Sequence, residues 1–172
     1  MKRFLPIIIL STFLLTSCSL AMHAQPSIRV FFSPKGGCTE AVINELDRAK
    51  KSVYVLAYSL TSDPIAKALV SAHDRGVNVE IILDQNQRTA KSSLASFMAQ
   101  SGIYTKIDAA HAIAHNKVMI IDGEVLITGS FDFTKSAEEK NAENLFIVRD
   151  KALAEKYFEN WLVHFGHAEF YP

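Results

Sequence analysis

From Ser27 onward the chain alternates short β-rich apolar runs with stretches whose apolar residues recur every three or four positions. The run SIRVFFS, residues 27–33, follows Pro26 and predicts a strand; Pro34-Lys35-Gly36-Gly37 predicts a turn. Ala41, Val42, Leu46 and Ala49 form a helical stripe within residues 39–51. SVYVLAYS, residues 52–59, is apolar enough for a strand buried on both faces. Asp63 and Pro64 predict the N-cap and first position of a second helix, whose stripe of Ile65, Leu69 and Ala72 stops at Gly76. A strand over residues 77–83, a third helix over 89–100 and a short strand over 103–107 follow. Two strands flank Asp122-Gly123, another covers 144–148, and a last helix covers 151–165. Strand–helix alternation of this kind predicts an α/β fold, with a mixed, largely parallel β-sheet between helical layers. There is no internal repeat and no linker after residue 26.

The first residues follow another pattern. Lys2 and Arg3 precede a nearly unbroken apolar run from Phe4 to Leu15, short for a membrane span. The run ends in Leu15-Thr16-Ser17-Cys18, which resembles the lipobox of bacterial lipoproteins, where the cysteine carries the lipid. Signal cleavage after Ala24 is the rival reading. The division expected is a leader over 1–18, a tether over 19–26 and a domain over 27–172, exported and anchored on the periplasmic side. Ser19, after Cys18, lacks the Asp-type retention signal, which favours the outer membrane.

Charge narrows the chemistry. The chain has 18 basic and 18 acidic side chains, so loss of Lys2 and Arg3 leaves 16 against 18. A slightly acidic domain must bind any polyanion through a local cluster rather than an overall field. With Cys18 lipidated, Cys38 has no internal disulfide partner and reads as a buried apolar residue. No Cys/His pair has zinc-finger spacing, so no structural metal is expected.

The candidate chemistry lies in HNKVMIIDGEVLITGSFDF, residues 115–133. Asp-Gly between β-rich runs predicts a two-residue hairpin turn. Paired residue numbers then sum to 245, which sets His115 opposite Ser130 and Lys117 opposite Thr128. These four share one face, with Met119 and Leu126 nearer the turn; Val118, Ile120, Val125 and Ile127 form the core face. Taken alone, this is also what a solvated hairpin end would look like.

The spacing His115-x-Lys117, Asp122 and Gly129-Ser130 resembles the HKD motif of the phospholipase D superfamily, H-x-K-x4-D-x6-G-S-x-N, at every fixed position but the last. FFSPKGG, AYSLTS, ALVSAHDRGVNVEIILD and KNAENLF resemble the small bacterial endonucleases of that superfamily, and with the lipobox the chain looks like the exported, membrane-anchored nucleases of the NucT type. The resemblance implies phosphodiester cleavage through a covalent phosphohistidine, without metal or other cofactor. His115 would be the nucleophile, with Lys117 and Ser130 holding the non-bridging oxygens. Glu143 would hold the second ring nitrogen of His115. Asp122 falls in the turn and reads as structural. A second histidine must protonate the leaving oxygen, and His73, His111, His164 and His167 sit in no motif. One motif per chain therefore implies a homodimer with a composite site.

Asp132 stands where the family has asparagine, and an ionised carboxylate offers no donor to phosphate. It is expected to be protonated, to turn toward Lys135 or a backbone group, or to weaken the site. Single-stranded DNA is the favoured substrate. Lys35, Arg88, Lys91, Lys135 and Lys140 are candidates for a phosphate groove, and Tyr58 and Phe131 for stacking platforms. A phospholipid phosphodiesterase and a disabled binding lipoprotein are the alternatives.

Overall fold

The computed structural model describes residues 26–172, so the expected leader and the Cys18 anchor lie outside the described residues. The strands are β1 (Ser27–Ser33), β2 (Ser52–Ala57), β3 (Asn78–Asp84), β4 (Tyr104–Asp108), β5 (Lys117–Ile121), β6 (Val125–Gly129), β7 (Glu143–Arg149) and β8 (Glu169–Phe170). The helices are α1 (Cys38–Arg48), α2 (Asp63–Asp74), α3 (Ala95–Gln100), α4 (Lys135–Glu139) and α5 (Lys151–His167). One sheet of order β1-β7-β6-β5-β2-β3-β4-β8 holds all the strands. It is mixed, as expected, but parallel pairing is confined to β2–β3 and β3–β4. Part of the physical reason is the connections: α2 and α3 supply crossovers between parallel neighbours, whereas β5 and β6 join through a tight turn that forces antiparallel pairing. The helix α1 does carry β1 to a strand of the same direction. Three strands are inserted between β1 and β2, however, and β1 pairs antiparallel with β7.

Local chemistry moves several boundaries. The third helix is only α3, because Asp84 Oδ1 captures the Asn86 N–H to start a short 3-10 turn over Gln85–Arg88. The Ser93 hydroxyl then takes the Ala95 N–H where α3 begins. Ser62, not Asp63, is the N-cap residue of α2. The first turn of α1 is capped from a distance: Glu138 of α4 accepts from Gly37 N and Thr39 N at 3.0 and 2.7 Å.

Two apolar layers hold the sheet. Val42 and Leu46 of α1, Ile65 and Leu69 of α2 and Met98 of α3 pack on Val53, Val55, Ile81, Met119 and Ile127. On the other face, Ala154 and Trp161 of α5 cover Leu56, Ile82, Val118, Ile120 and Leu126. Full burial of each large aliphatic side chain is worth about 1.5–3 kcal/mol. Trp161 also donates to the Val55 carbonyl, so its indole N–H is satisfied inside the core. Beyond Val148, which joins the α5 layer, Ile28, Val30 and Phe32 of β1 and Phe146 of β7 form an exposed apolar stripe. Cys38 is fully buried, and burial, helped by the charge of Glu138, pushes its thiol up to about 11.

Candidate active site at the strand ends

The C-terminal ends of β2 and β6 and the N-terminal ends of β5 and β7 lie on one edge of the sheet, with Ala57 paired to Lys117 and Gly129 to Leu145. The hairpin register differs from the two-residue expectation. Ile121 pairs with Val125, not Glu124, and Glu124 N donates to Ile121 O across a three-residue loop. Paired numbers sum to 246, so odd residues share a face: Met119 and Ile127 pack toward α1 and α2, while Ile120 and Leu126 pack toward α5. Both faces are core, and Thr128 parts company with Lys117.

The cause lies far along the chain. The Asp122 carboxylate accepts from Lys50 N, Lys51 N and Ser52 N, the shortest contact being 2.7 Å. This pins the turn to the α1–β2 connection, with Asp122 at φ 55°. The motif aspartate is thus placed as a fastener of the hairpin. Asp122→Ala should cost about 2–3 kcal/mol through lost charge-assisted hydrogen bonds and a disfavoured backbone angle. Denaturant unfolding would show a lower midpoint at unchanged slope. Full stability with lost turnover would instead place Asp122 in the chemistry.

A bulge at the end of β6 re-aims the next residues. Ser130 N and Phe131 N both donate to Asn144 O at 3.1 Å, two residues facing one. Gly129 allows this approach, with φ +144° and an imagined Cβ only 2.3 Å from Asn144 O. Beyond it, Phe131 and Phe133 turn inward and are fully buried, while Ser130 and Asp132 remain at the surface side. Phe131 is therefore a core residue and cannot stack on a substrate. Ser130 Oγ accepts the Asn144 N–H at 3.0 Å, which leaves its hydroxyl proton free to donate outward.

His115 is exposed, with its ring edge-on to Tyr58 at 4.7 Å between centroids. Lys117 is 7% exposed, and its ammonium lies 4.9 Å from the Tyr58 ring and 3.5 Å from the His115 carbonyl. Tyr58 thus buttresses both motif residues, through a cation–π contact with Lys117 and ring packing with His115. Asp132 Oδ1 sits 3.1 Å from Lys117 Nζ. The carboxylate therefore turns toward the motif lysine and not toward Lys135, which pairs with Glu139 at 3.6 Å. That Oδ1 is buried without a well-angled hydrogen bond, so the contact is an ion pair by proximity alone.

Glu143 accepts from Asn141 Nδ2 at 3.1 Å, and no hydrogen bond joins it to His115 within the described residues of one chain. Lys35 is exposed on the Pro34–Gly37 turn, whose backbone is tied to Glu138 O through Lys35 N. Arg88, just past the C-terminal end of β3, is engaged by Glu169 at 2.5 Å. Two features escaped the sequence reading. Asn144 is central to the bulge; a lone amide beginning an apolar strand is the signal for it. Asp108, His111, His164 and His167 converge in a separate cluster, foreshadowed only by the paired D-x2-H and H-x2-H spacings.

The comparisons with known proteins agree with this geometry. Residues 42–162, which include the motif residues His115, Lys117, Asp122, Gly129 and Ser130, match the family described as cardiolipin synthase, PLD-like domain. A protein named phospholipase D from Rickettsia felis is 45% identical over 138 residues, covering 80% of this chain and 69% of the relative. Nuc from Salmonella typhimurium, a phospholipase D family member, superposes with a TM-score of 0.82 at 40% identity, over 86% of this chain and 99% of that one. NucT from Helicobacter pylori shares the fold, with a TM-score of 0.78 at 23% identity over 86% and 100% of the two chains. Fold and site together define a phosphodiesterase. The chain belongs to the phospholipase D superfamily.

Proposed function

We propose that this protein is a nuclease that cuts single-stranded DNA with little sequence preference, through a phosphohistidine on His115. The supporting observation is the grouping of exposed His115 with Lys117 and the Ser130 segment at one sheet edge, in a chain alike over nearly its whole domain to Nuc. Neutral imidazole attacks phosphorus, and the P–O bond to the leaving strand breaks as the N–P bond forms. Lys117 offsets the charge on the non-bridging oxygens, and Ser130 O–H donates to them. A second His115, from a twofold partner, protonates the leaving oxygen; water then attacks the phosphohistidine and releases the phosphorylated end.

The dimer rests on two supports: one motif per chain, and the stripe of Ile28, Val30, Phe32 and Phe146 that α5 leaves uncovered. Glu143 would orient His115 once the pair assembles. Sedimentation at assay concentrations should give twice the chain mass; an active monomer would overturn the composite site. Tyr58, Lys35 and Lys135 are the proposed substrate contacts. We also propose export and outer-membrane anchoring through Cys18, which incorporation of labelled palmitate checks.

The decisive assay offers EDTA-treated, tag-free protein labelled single-stranded DNA, duplex, RNA and phospholipid over a salt series, with His115→Ala in parallel. Faster cleavage of single strands supports the reading. Phospholipid turnover without DNA cleavage would replace it with the lipid phosphodiesterase, the reading favoured by the name of the Rickettsia felis relative.

The Lys117–Asp132 pair yields a further expectation. An internal carboxylate competes with phosphate for the same ammonium, so Asp132→Asn should bind vanadate or phosphate several-fold more tightly, about 1 kcal/mol. Competitive inhibition constants measure this. Unchanged inhibition and turnover would mean that Asp132 does not oppose the anion.

A further inference from the structure

Away from the HKD residues, three imidazoles aim at one carboxylate. Asp108, at the C-terminal end of β4, is fully buried. Its Oδ2 lies 2.6 Å from His164 Nδ1, 3.0 Å from His111 Nδ1 and 3.2 Å from His167 Nε2. His164 and His167 stand one turn apart at the C-terminal end of α5, so both rings share a face. One ligand atom from each of the four residues falls within a single sphere in which no pair is more than 4.8 Å apart.

A single carboxylate needs no more than one imidazolium for charge balance. Three imidazole nitrogens and a carboxylate oxygen gathered within 4.8 Å of one another form a donor set that one metal ion can draw together. We propose that Asp108, His111, His164 and His167 form a divalent-metal site, zinc by its donor set, which staples the loop before His115 to the end of α5.

The chemistry of the donors supports that assignment. Three imidazoles and one carboxylate make a four-ligand N3O set, which suits zinc. Metal–ligand bonds of about 2.0–2.1 Å in a tetrahedron place donors about 3.3 Å apart, so donors now up to 4.8 Å apart must close by as much as about 1.5 Å when the ion binds. Asp108 Oδ1 accepts the Ala110 N–H at 3.0 Å, which steadies the carboxylate while Oδ2 faces the three imidazoles. The site is graded in access: the side chains of His164, His167 and His111 are 10%, 30% and 47% exposed, which gives a closed floor and an entry beside His111.

Its position has a purpose. The segment from Asp108 leads directly through His111 to His115, and it is otherwise held by Ala114 N–H to Asp84 and by Gln85 Nε2 to the carbonyls of His111 and Ala112. A metal at its start would fix where the exposed nucleophile candidate begins. No reaction step runs through the ion, so the site is compatible with metal-free phosphoryl transfer.

The test uses the full domain without a histidine tag, stripped with chelator, desalted and titrated with zinc sulfate against a chromophoric competitor. One equivalent per chain is expected, with a melting temperature several degrees higher. His111→Gln, at the exposed ligand, should fold and lose at least about a hundredfold in affinity, beyond the 10–100-fold typical of an outer-shell change. His73→Gln and His115→Ala should keep the full equivalent. Cobalt in place of zinc should give the intense visible band of a four-coordinate ion. Absence of a stoichiometric equivalent, or equal zinc retention by His111→Gln and the parent, would overturn the proposal. The readout is metal content and stability, so it stands or falls apart from the nuclease reading.

Discussion

His115→Ala should lose phosphodiester cleavage by roughly a thousandfold or more while leaving the fold untouched. The two halves of that outcome have separate causes. The imidazole is exposed and packs edge-on against Tyr58, so truncation opens no buried cavity, and the unfolding free energy should stay within about 0.5 kcal/mol of the parent. The chemistry has no substitute nucleophile at that point, since Lys117 is held between the Tyr58 ring and Asp132. Quenched reactions of the parent should contain a phosphoryl group that is labile in acid and stable in base, the behaviour of an N–P bond. Retention of cleavage by His115→Ala, or a phosphoryl group on serine, would remove His115 from its role.

The second large effect is expected at Gly129. An alanine there would place Cβ 2.3 Å from Asn144 O and 3.1 Å from Asn144 C, both backbone atoms of the neighbouring strand. No rotamer relieves such an overlap; β6 and β7 must separate, and the bulge with them. The φ of +144° adds strain of its own. Gly129→Ala should therefore cost about 3 kcal/mol or more and also reduce turnover in the protein that remains folded, because Ser130 and Asp132 are aimed by the bulge. Chemical denaturation checks the first part, and kcat normalised to folded protein checks the second. Normal stability would show that the strands give way more easily than the close approach implies.

The amino-acid pattern carried the sheet-and-helix plan because it rests on local periodicity: the apolar runs of β2 and β3 and the stripes of α1 and α2 are visible at short range. What it misplaced depended on partners far away. The hairpin register follows from Asp122 reaching the amides of residues 50–52, and a local Asp-Gly signal contains nothing of that. The bulge at Ser130 depends on Asn144 in the next strand. The slipped register and the bulge each change the parity by one, so the Ser130–Asp132 segment still comes round to Lys117 although the stated pairing was incorrect. Phe131 reads from the sequence alone either as a stacking platform or as core; in the fold it is fully buried in the same apolar layer as Leu60 and Phe133. The His/Asp cluster joins β4 to the far end of α5, a convergence that only the closed sheet creates.

Cys38 offers an experimental handle that follows from its burial. A thiol held near 11 inside the first turn of α1 is protonated at neutral pH and out of reach of alkylating reagents. Labelling must wait for that helix to lift away, so the modification rate in plain buffer records how often the domain opens. Mass spectrometry of timed iodoacetamide reactions would then read the opening free energy under native conditions, with no denaturant and no extrapolation.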